Sequence, residues 1–469
     1  MKCIEKKDFI NKDIASIQVA VIKEAEDSQL DKEITLPLLL MFGLPTIFAM
    51  IVMGTFNIID GIFAARRLGE ASVAAITVVT PFAIFALAIG ILFASGGAAL
   101  VAKKKGMKKE EEARQNFTLI CIVAFIVSIL ISSFAVIFPE TLLELLGTNY
   151  EFMEYGKAYI QVFALGIPLL VISQVFNQFM IADGKPMLSM GMSLLGSVIS
   201  AGLNAIFLFV MNMGIAALGW ATLIGFIAPT LVGLYVFSNR KGTLYFVRPK
   251  WDVKALGQSV LNGTGGALGT LATAVITIVM NNVLVRMDGV GLIGVAVAGI
   301  VMAIHSTMGM IFAGYLAGTG PLISYNYGNK NHDRQKLLFK YNLKILAVIS
   351  AITIVGTLMF SDLLARIYFP VGTEIHTMIV RGVRITALSF TVAAFNAFAA
   401  GHFAALNKGF IGGILSIVRS FGFHLPLLLI LPIFFDLTGI WIALPATEGL
   451  TIILSIFVLL KMGKRYHYL

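Results

Sequence analysis

Charged residues are scarce in this 469-residue chain: they make up 13% of it, against 58% for hydrophobic residues. The mean hydropathy is +0.90. Because soluble domains carry about 25% charged residues, this composition excludes a water-soluble fold. Apolar runs of about 20 residues, the length that crosses a hydrocarbon core of about 30 Å, recur along nearly the whole sequence. The sequence therefore predicts an all-α integral membrane protein.

Cysteine is also rare. Cys3 and Cys121 stand outside any CxxC or Cys/His arrangement, so neither a disulfide framework nor a structural zinc site is indicated. Residues 1–34 mix lysines with acids and lack the apolar stretch of a cleavable signal peptide. We expect these residues to form a cytoplasmic N-terminal segment, with the first span acting as its own insertion signal.

Enzyme motifs are missing as well. The glycine-rich stretch 263–266 lacks the strand and the lysine of a phosphate-binding loop, and there is no nucleophile elbow. The net charge of +10 is spread over short loops rather than one basic face, which argues against a nucleic-acid partner. We expect no enzymatic activity and no cofactor, and an ion gradient rather than ATP as the energy source.

Twelve apolar segments bounded by charge, glycine, proline or asparagine are predicted to span the membrane. They lie near residues 36–59, 71–101, 117–138, 158–181, 187–210, 214–237, 258–285, 291–325, 338–360, 384–404, 411–434 and 439–460. Lysine and arginine concentrate in alternate loops, which the positive-inside rule assigns to the cytoplasm together with both termini. This pattern predicts a multi-pass protein of the cytoplasmic (plasma) membrane.

The two halves of the chain repeat each other. Ala182–Lys185 matches Ala405–Lys408, and Gly97 before one basic loop matches Gly320 before another. Both copies point the same way, so a pseudo-two-fold axis along the membrane normal would relate them. We predict two six-helix lobes around a V-shaped central cavity. Their bounds are an N-lobe at 35–237 (spans 1–6), a cytoplasmic linker at 238–257, a C-lobe at 258–460 (spans 7–12) and a cytoplasmic tail at 461–469.

The end of the eighth predicted span carries the most specific motif. Residues 318–331 read GTGPLISYNYGNKN, which closely resembles the G-x-x-P-x-x-x-Y-N-Y-G-x-x-N signature of the multidrug and toxic compound extrusion (MATE) family. Further similar elements occur at 43–45, 57–63, 96–106, 183–186 and 439–448. Their arrangement most resembles the MepA-like bacterial branch.

This resemblance implies a secondary antiporter that rocks between outward- and inward-facing states. An inward H⁺ or Na⁺ gradient would drive export of amphipathic organic cations, and the protein would work as a monomer among membrane lipids. Two alternatives remain open. A lipid-linked oligosaccharide flippase of the same wider superfamily would favour a strongly cationic cavity, and an integral-membrane transferase would need a His/Asp pair facing a lipid entrance.

Asp60 is the leading candidate for ion coupling. An ionisable group beside or within a span is costly to bury unless it pairs, binds an ion or titrates. Asn57 lies one helical turn away on the same face and offers an amide oxygen to a shared cation. The alternative is a solvated carboxylate at the outer helix end, paired with Arg66 or Arg67.

The resemblance also implies an N-lobe cation site. Some family members use the first-span Asp, an Asn and an Asp one turn apart in span five, and a Thr in span six. The matching positions here are Asp60, Ser200, Asn204 and Thr222, so two of the four depart from that pattern. Losing the second carboxylate weakens a hard-cation site, which favours a proton or a weakly held Na⁺ at Asp60.

Arg419 and Glu448 are the remaining charges at membrane depth. A buried pair in which each neutralises the other is predicted, with a transport role as the alternative. His305, His402 and His424 also lie within spans but lack metal-ligand spacing, so no metal site is expected. We expect these histidines to hydrogen-bond between helices, with a proton relay as the alternative.

Overall fold

The computed structural model describes residues 29–146, 153–240, 242–287 and 291–469, and all regular structure in those ranges is helical. Within them, ten segments are long and apolar enough to cross a membrane, or eleven if the bent pair Glu374–Ala387 and Phe390–Ala405 counts as one span. The longest segment, Gly409–Tyr466, leaves the helical region at Asp436 (φ 48°, ψ −139°). A Cβ on Gly439 would lie 2.4 Å from the carbonyl oxygen of Leu431, so the chain folds back there. Length and composition thus give ten or eleven spans within the described residues, against the twelve predicted.

The helices are α1 (Leu36–Gly106), α2 (Glu110–Ile137), α3 (Pro139–Leu145), α4 (Met153–Ala182), α5 (Pro186–Ala205), α6 (Ala216–Ser238), α7 (Val253–Val285), α8 (Gly291–Gly328), α9 (His332–Met359), α10 (Ser361–Arg366), α11 (Glu374–Ala387), α12 (Phe390–Ala405), α13 (Gly409–Ile417) and α14 (Leu425–Tyr466). A 3₁₀ turn at Gln29–Asp31 precedes them, and π-helical segments follow α5 (Ile206–Val210) and α13 (Val418–His424). The π segments and the 51° bend between α11 and α12 were not predicted.

Helix α1 contains the first two spans, Leu36–Phe56 and Val79–Gly106. A straight helix of 71 residues would be about 106 Å long. Yet Asp31, just before α1, lies 3.6 Å from Lys108, just after it. The two halves therefore run in opposite directions and return to the same end of the molecule. The start predicted for the second span, at residue 71, falls among side chains outside the described residues.

Side-chain caps set several helix starts. The Thr35 hydroxyl accepts a hydrogen bond from the amide of Leu38 (3.4 Å), and the Asp252 carboxylate accepts one from Ala255 (3.0 Å). Such caps satisfy amides that have no partner inside the helix. They fix where the first span and the first helix of the C-lobe begin.

The internal repeat is visible in the backbone. Three turns use a residue with positive φ in both halves of the chain, at nearly the same separation. The pairs are Lys108 with Lys330, Gly184 with Asn407, and Asn212 with Asp436. Because positive φ is uncommon outside glycine and asparagine, this recurrence gives a register for comparing the lobes residue by residue.

The lobes meet along the end of the molecule that carries the basic loops, called here the basic end. A Cβ on Gly96 would lie 2.0 Å from the carbonyl oxygen of Ser259, and one on Gly263 would lie 2.0 Å from that of Leu92. These glycines let α1 and α7 approach backbone to backbone. We call this contact the seam: residues 92–106 of α1 against 259–263 of α7 and 325–328 of α8.

Polar bonds tie the lobes together near the seam. Asn407 donates to the carbonyl of Ala99 (3.1 Å). Asp31 bridges both lobes, since its carboxylate lies 3.6 Å from Lys108 and accepts a hydrogen bond from Arg334 at 3.2 Å. The first span also packs into a core of the C-lobe, with Leu38, Leu39 and Phe42 beside Phe312 and Tyr315. The lobes are therefore closed against each other at the basic end.

Two basic-end features differ from the sequence interpretation. Lys105 follows the second predicted span (71–101) and was therefore expected in a basic loop, but it lies in the last turn of α1. Its side chain is 4% exposed and donates to Asp183 (3.4 Å) and Thr243 (2.7 Å). Part of the predicted surface linker is packed as well, because Leu244 is buried and its amide donates to Asp183 at 3.0 Å. The carboxylate of Asp183 offsets the burial of the lysine and holds the linker on the N-lobe.

Candidate functional site

A cavity opens inside the N-lobe between α1, α4, α5 and α6. Its volume is about 740 Å³ when the space at its open mouth is included. Its lining combines soft apolar side chains with uncharged polar ones, including Met53, Phe56, Asn177, Ser197, Ser200 and Thr222. No charged side chain occurs among the described lining residues. We call this space the N-lobe cavity.

Helix α5 presents a stripe of polar side chains, part of which lines this cavity. Ser189, Ser193, Ser197, Ser200 and Asn204 are spaced by three or four residues, so they share one helix face. The hydroxyls of Ser193 and Ser197 donate to carbonyls four residues earlier (3.1 and 3.0 Å). Each oxygen therefore keeps lone pairs for another partner.

The stripe is fixed in place by α4 and α6. Asn177 of α4 hydrogen-bonds with the hydroxyls of Ser189 and Ser193. On the other side, a Cβ on Gly225 of α6 would lie 2.8 Å from the Cβ of Ser200, so the absence of a side chain lets the helices touch. Thr222, one turn before Gly225, donates to the carbonyl of Leu218 (2.8 Å) and lines the cavity.

The structure places three of the four side chains of the implied cation site. The structure brings Ser200 and Thr222 together on the cavity wall, and it buries Asn204 at 1% exposure on the same stripe. Asp60 and Asn57 lie within α1, but their side chains are outside the described residues. Asn177, Ser193 and Ser197 were not singled out from the sequence, although the spacing of the serines was readable there.

Arg67, the suggested surface partner of Asp60, has other contacts. Its Nε donates to the carbonyl of Leu208 (3.2 Å), and its guanidinium bonds to the side chain of Asn212. Leu208 lies in the π segment that ends span five. The cation of Arg67 therefore ties the end of the first span to the turn after span five. Arg66 falls outside the described side chains.

The C-lobe holds a network built on Glu448. Arg419 Nε donates to Glu448 Oε1 at 2.9 Å, and its Nη2 bonds to the same oxygen. Asn396 donates to the other carboxylate oxygen (2.7 Å) and to the Glu448 carbonyl (3.0 Å), while Ser455 donates to Asn396 (2.9 Å). The Glu448 side chain is 3% exposed and that of Arg419 is 37% exposed. The roles of Asn396 and Ser455 had not been anticipated.

The histidines have different surroundings. His305 lies 2.9 Å from the Ser389 hydroxyl and stacks on the ring of Phe390, so it joins two helices as expected. His402 was expected to hydrogen-bond between helices, but neither ring nitrogen has a partner in the described part of the chain. Aromatic rings surround it instead, including Tyr468 at 4.6 Å between ring centroids. His424 ends the second π segment. No group of metal-binding side chains was found among the described residues.

Comparison with known proteins places these features in context. The profile of the MatE family matches residues 45–206 and 266–430. The chain is 24% identical over 435 residues to the multidrug export protein MepA of Staphylococcus haemolyticus, covering 90% of this chain and 93% of the relative. It is 22% identical over 432 residues to MepA of Staphylococcus aureus, with the same coverage.

Solved structures share the fold. An outward-facing multidrug resistance MATE transporter of the MOP superfamily superposes with a TM-score of 0.88 at 20% identity, covering 94% of this chain and 98% of the other. A mutant form of the Vibrio cholerae MATE transporter VcmN gives 0.85 at 18% identity, covering 92% and 98%. At these identities the comparison supports the arrangement of helices and no more.

Proposed function

Since this chain belongs to the MatE family, we propose that it is a secondary antiporter of the cytoplasmic membrane that exports amphipathic organic cations in exchange for H⁺ or Na⁺. The relatives named multidrug export proteins align with about nine-tenths of the chain. The observation that carries the proposal is the N-lobe cavity, which opens beside the helix that holds Asp60.

The cavity lining suits varied amphipathic molecules. Methionine and phenylalanine side chains adapt their shape to different apolar ligands, and Met53, Phe56, Met192 and Phe226 supply them here. The hydroxyl and amide groups of the α5 stripe offer uncharged hydrogen-bonding partners. A cavity that is mostly apolar with a few polar groups is the usual form of a small-molecule site.

Asp60 supplies the charge that the described lining lacks. Position 60 follows Met53 by seven residues, so an uninterrupted helix carries both positions on one face. Alternate binding of the coupling ion and the organic cation at one carboxylate couples their movements. With Ser200 and Asn204 in place of the family's amide and second acid, the site has a single negative charge. That favours H⁺, or a loosely held Na⁺, over tight Na⁺ binding.

The seam supplies a closed state for alternating access. Backbone contact at Gly96 and Gly263, with the Asp31 bridge, blocks passage at the basic end. Release to that side requires these contacts to break while the cores of the lobes stay intact. Rocking of two rigid lobes around a fixed site meets that requirement.

Dye transport in reconstituted vesicles tests the proposal. Purified protein in proteoliposomes should move a fluorescent organic cation when a proton gradient or a Na⁺ gradient is imposed, each in turn with the other clamped. The gradient that drives transport identifies the coupling ion. Movement equal to that in protein-free vesicles under both gradients would refute the export proposal.

A further inference from the structure

In the C-lobe, charged or polar side chains occupy positions that match cavity-lining residues of the N-lobe. Arg419 stands twelve residues after the positive-φ residue Asn407, and Gly196 stands twelve after its repeat partner Gly184. Gly196 lines the N-lobe cavity. Asn396, eleven residues before Asn407, matches Ser173 in the same way, and Ser173 also lines that cavity.

The arginine uses only one edge of its guanidinium. Its Nε and Nη2 bond to one oxygen of Glu448, and no described residue accepts a hydrogen bond from Nη1. An arginine has five N–H donors, so three of them remain available. Glu448 is enclosed, whereas the Arg419 side chain is 37% exposed.

Glu448 is already satisfied by its own partners. Its first oxygen accepts both bonds from Arg419, and its second accepts the bond from Asn396 at 2.7 Å. The carboxylate therefore holds the guanidinium in a fixed orientation and leaves open the edge formed by Nη1 and the second N–H of Nη2. An arginine exposed at membrane depth is costly unless it faces water or a ligand.

From this geometry we infer that the free edge of Arg419 is a binding subsite for the carboxylate of an amphipathic substrate. A guanidinium edge and a carboxylate form two parallel charge-assisted hydrogen bonds. The inference rests on the proposed export function and assigns the residue that would hold the carboxylate of a zwitterionic substrate. The π segment Val418–His424 directs the guanidinium by shifting the helix register at this point.

Binding of a matched pair of dyes tests the subsite. The probes are a rhodamine with a free carboxylate and its methyl ester, which share the cationic ring system and differ at the carboxyl group. Fluorescence anisotropy with purified protein in a neutral detergent gives the ratio of the ester's Kd to the acid's Kd. We expect Arg419→Gln combined with Glu448→Gln to lower this ratio about tenfold, or about 1.4 kcal/mol. The double change strands no buried charge.

Two further variants keep the test interpretable. Arg384→Gln removes an exposed C-lobe arginine whose Nε donates to Ser361 (2.9 Å), and it should leave the ratio unchanged. Unchanged ester binding by the double variant shows that the fold is intact. If the double variant does not fold, Arg419→Lys serves instead: it keeps the charge beside Glu448 but loses the planar fork, and the ratio should fall about threefold.

The outcomes separate the subsite from the export proposal. If wild-type protein binds neither dye, both proposals fail. If it binds the ester and the acid with equal Kd, or if the variants lower both affinities alike, only the subsite fails. Short-chain phosphatidylglycerol should leave acid binding unchanged. If this lipid displaces the acid while the variants abolish lipid binding, the arginine belongs to a lipid headgroup and the subsite is refuted.

Discussion

Breaking the pair of Arg419 and Glu448 should cost more than removing it. Arg419→Gln leaves the Glu448 carboxylate 3% exposed, with Asn396 as its remaining donor. Breaking a buried pair in this way costs about 3 to 5 kcal/mol. We therefore expect roughly 3 to 5 kcal/mol of destabilisation.

The reverse change should be milder. Glu448→Gln leaves an arginine whose side chain is 37% exposed, so we expect a smaller loss of roughly 2 kcal/mol. The double variant has no stranded charge, and Asn396 keeps its bond to the backbone carbonyl of residue 448 (3.0 Å). Its cost should be about 1 kcal/mol, well below the sum of the single changes.

The assay is the fraction of protein that stays monodisperse in detergent after heating, measured for wild type, both single variants and the double variant. The exposed pair of Arg366 and Asp362, at 2.6 Å, provides the control. Arg366→Gln and Asp362→Asn should each have little effect and should add. If the losses at Arg419 and Glu448 also add, the pair carries no coupling energy and the argument is wrong.

Three further predictions concern the seam, the cavity and the topology. Gly263→Ala places a Cβ against a backbone carbonyl of the other lobe, whereas Gly269→Ala, in the same helix, meets open space. At matched expression, dye transport should be lost in Gly263→Ala and kept in Gly269→Ala. Ser197→Phe fills the N-lobe cavity and should weaken dye binding at least tenfold, while Leu195→Phe, on an exposed face, should not; equal effects would contradict the site. Lys108→Cys, at a side chain 67% exposed, should react with an impermeant maleimide only after cells are permeabilised; labelling of intact cells would reverse the topology.

The spans were predictable because each one depends on local composition. Twenty apolar residues bounded by charge cross a bilayer whatever they pack against. The π segments depend instead on packing between helices, so nothing in residues 206–210 or 418–424 signals them locally. The bend between α11 and α12 at residues 388–389 is similar, since no proline stands there.

The sites were predictable only in part. Family motifs indicated Ser200 and Thr222, and both line the N-lobe cavity. The contact between Asn396 and Glu448 joins residues 52 positions apart, and a single sequence carries no local signal for such a pair. Lys105 was assigned to a loop because it lies in the basic stretch that follows the apolar run 71–101. The structure instead buries Lys105 beside the carboxylate of Asp183. The sequence does not show this contact, because it depends on the linker packing over Asp183 through the amide of Leu244.

Coupling at Asp60 is the central claim, and transport by Asp60→Asn tests it most directly. The substitution keeps the size and hydrogen bonding of the side chain but removes its charge and its titration. In proteoliposomes with equal amounts of folded protein, gradient-driven dye transport should fall to the level of protein-free vesicles, while Asp362→Asn transports like wild type. Transport by Asp60→Asn at the wild-type rate under the same gradient would show that the carboxylate does not couple ion and substrate.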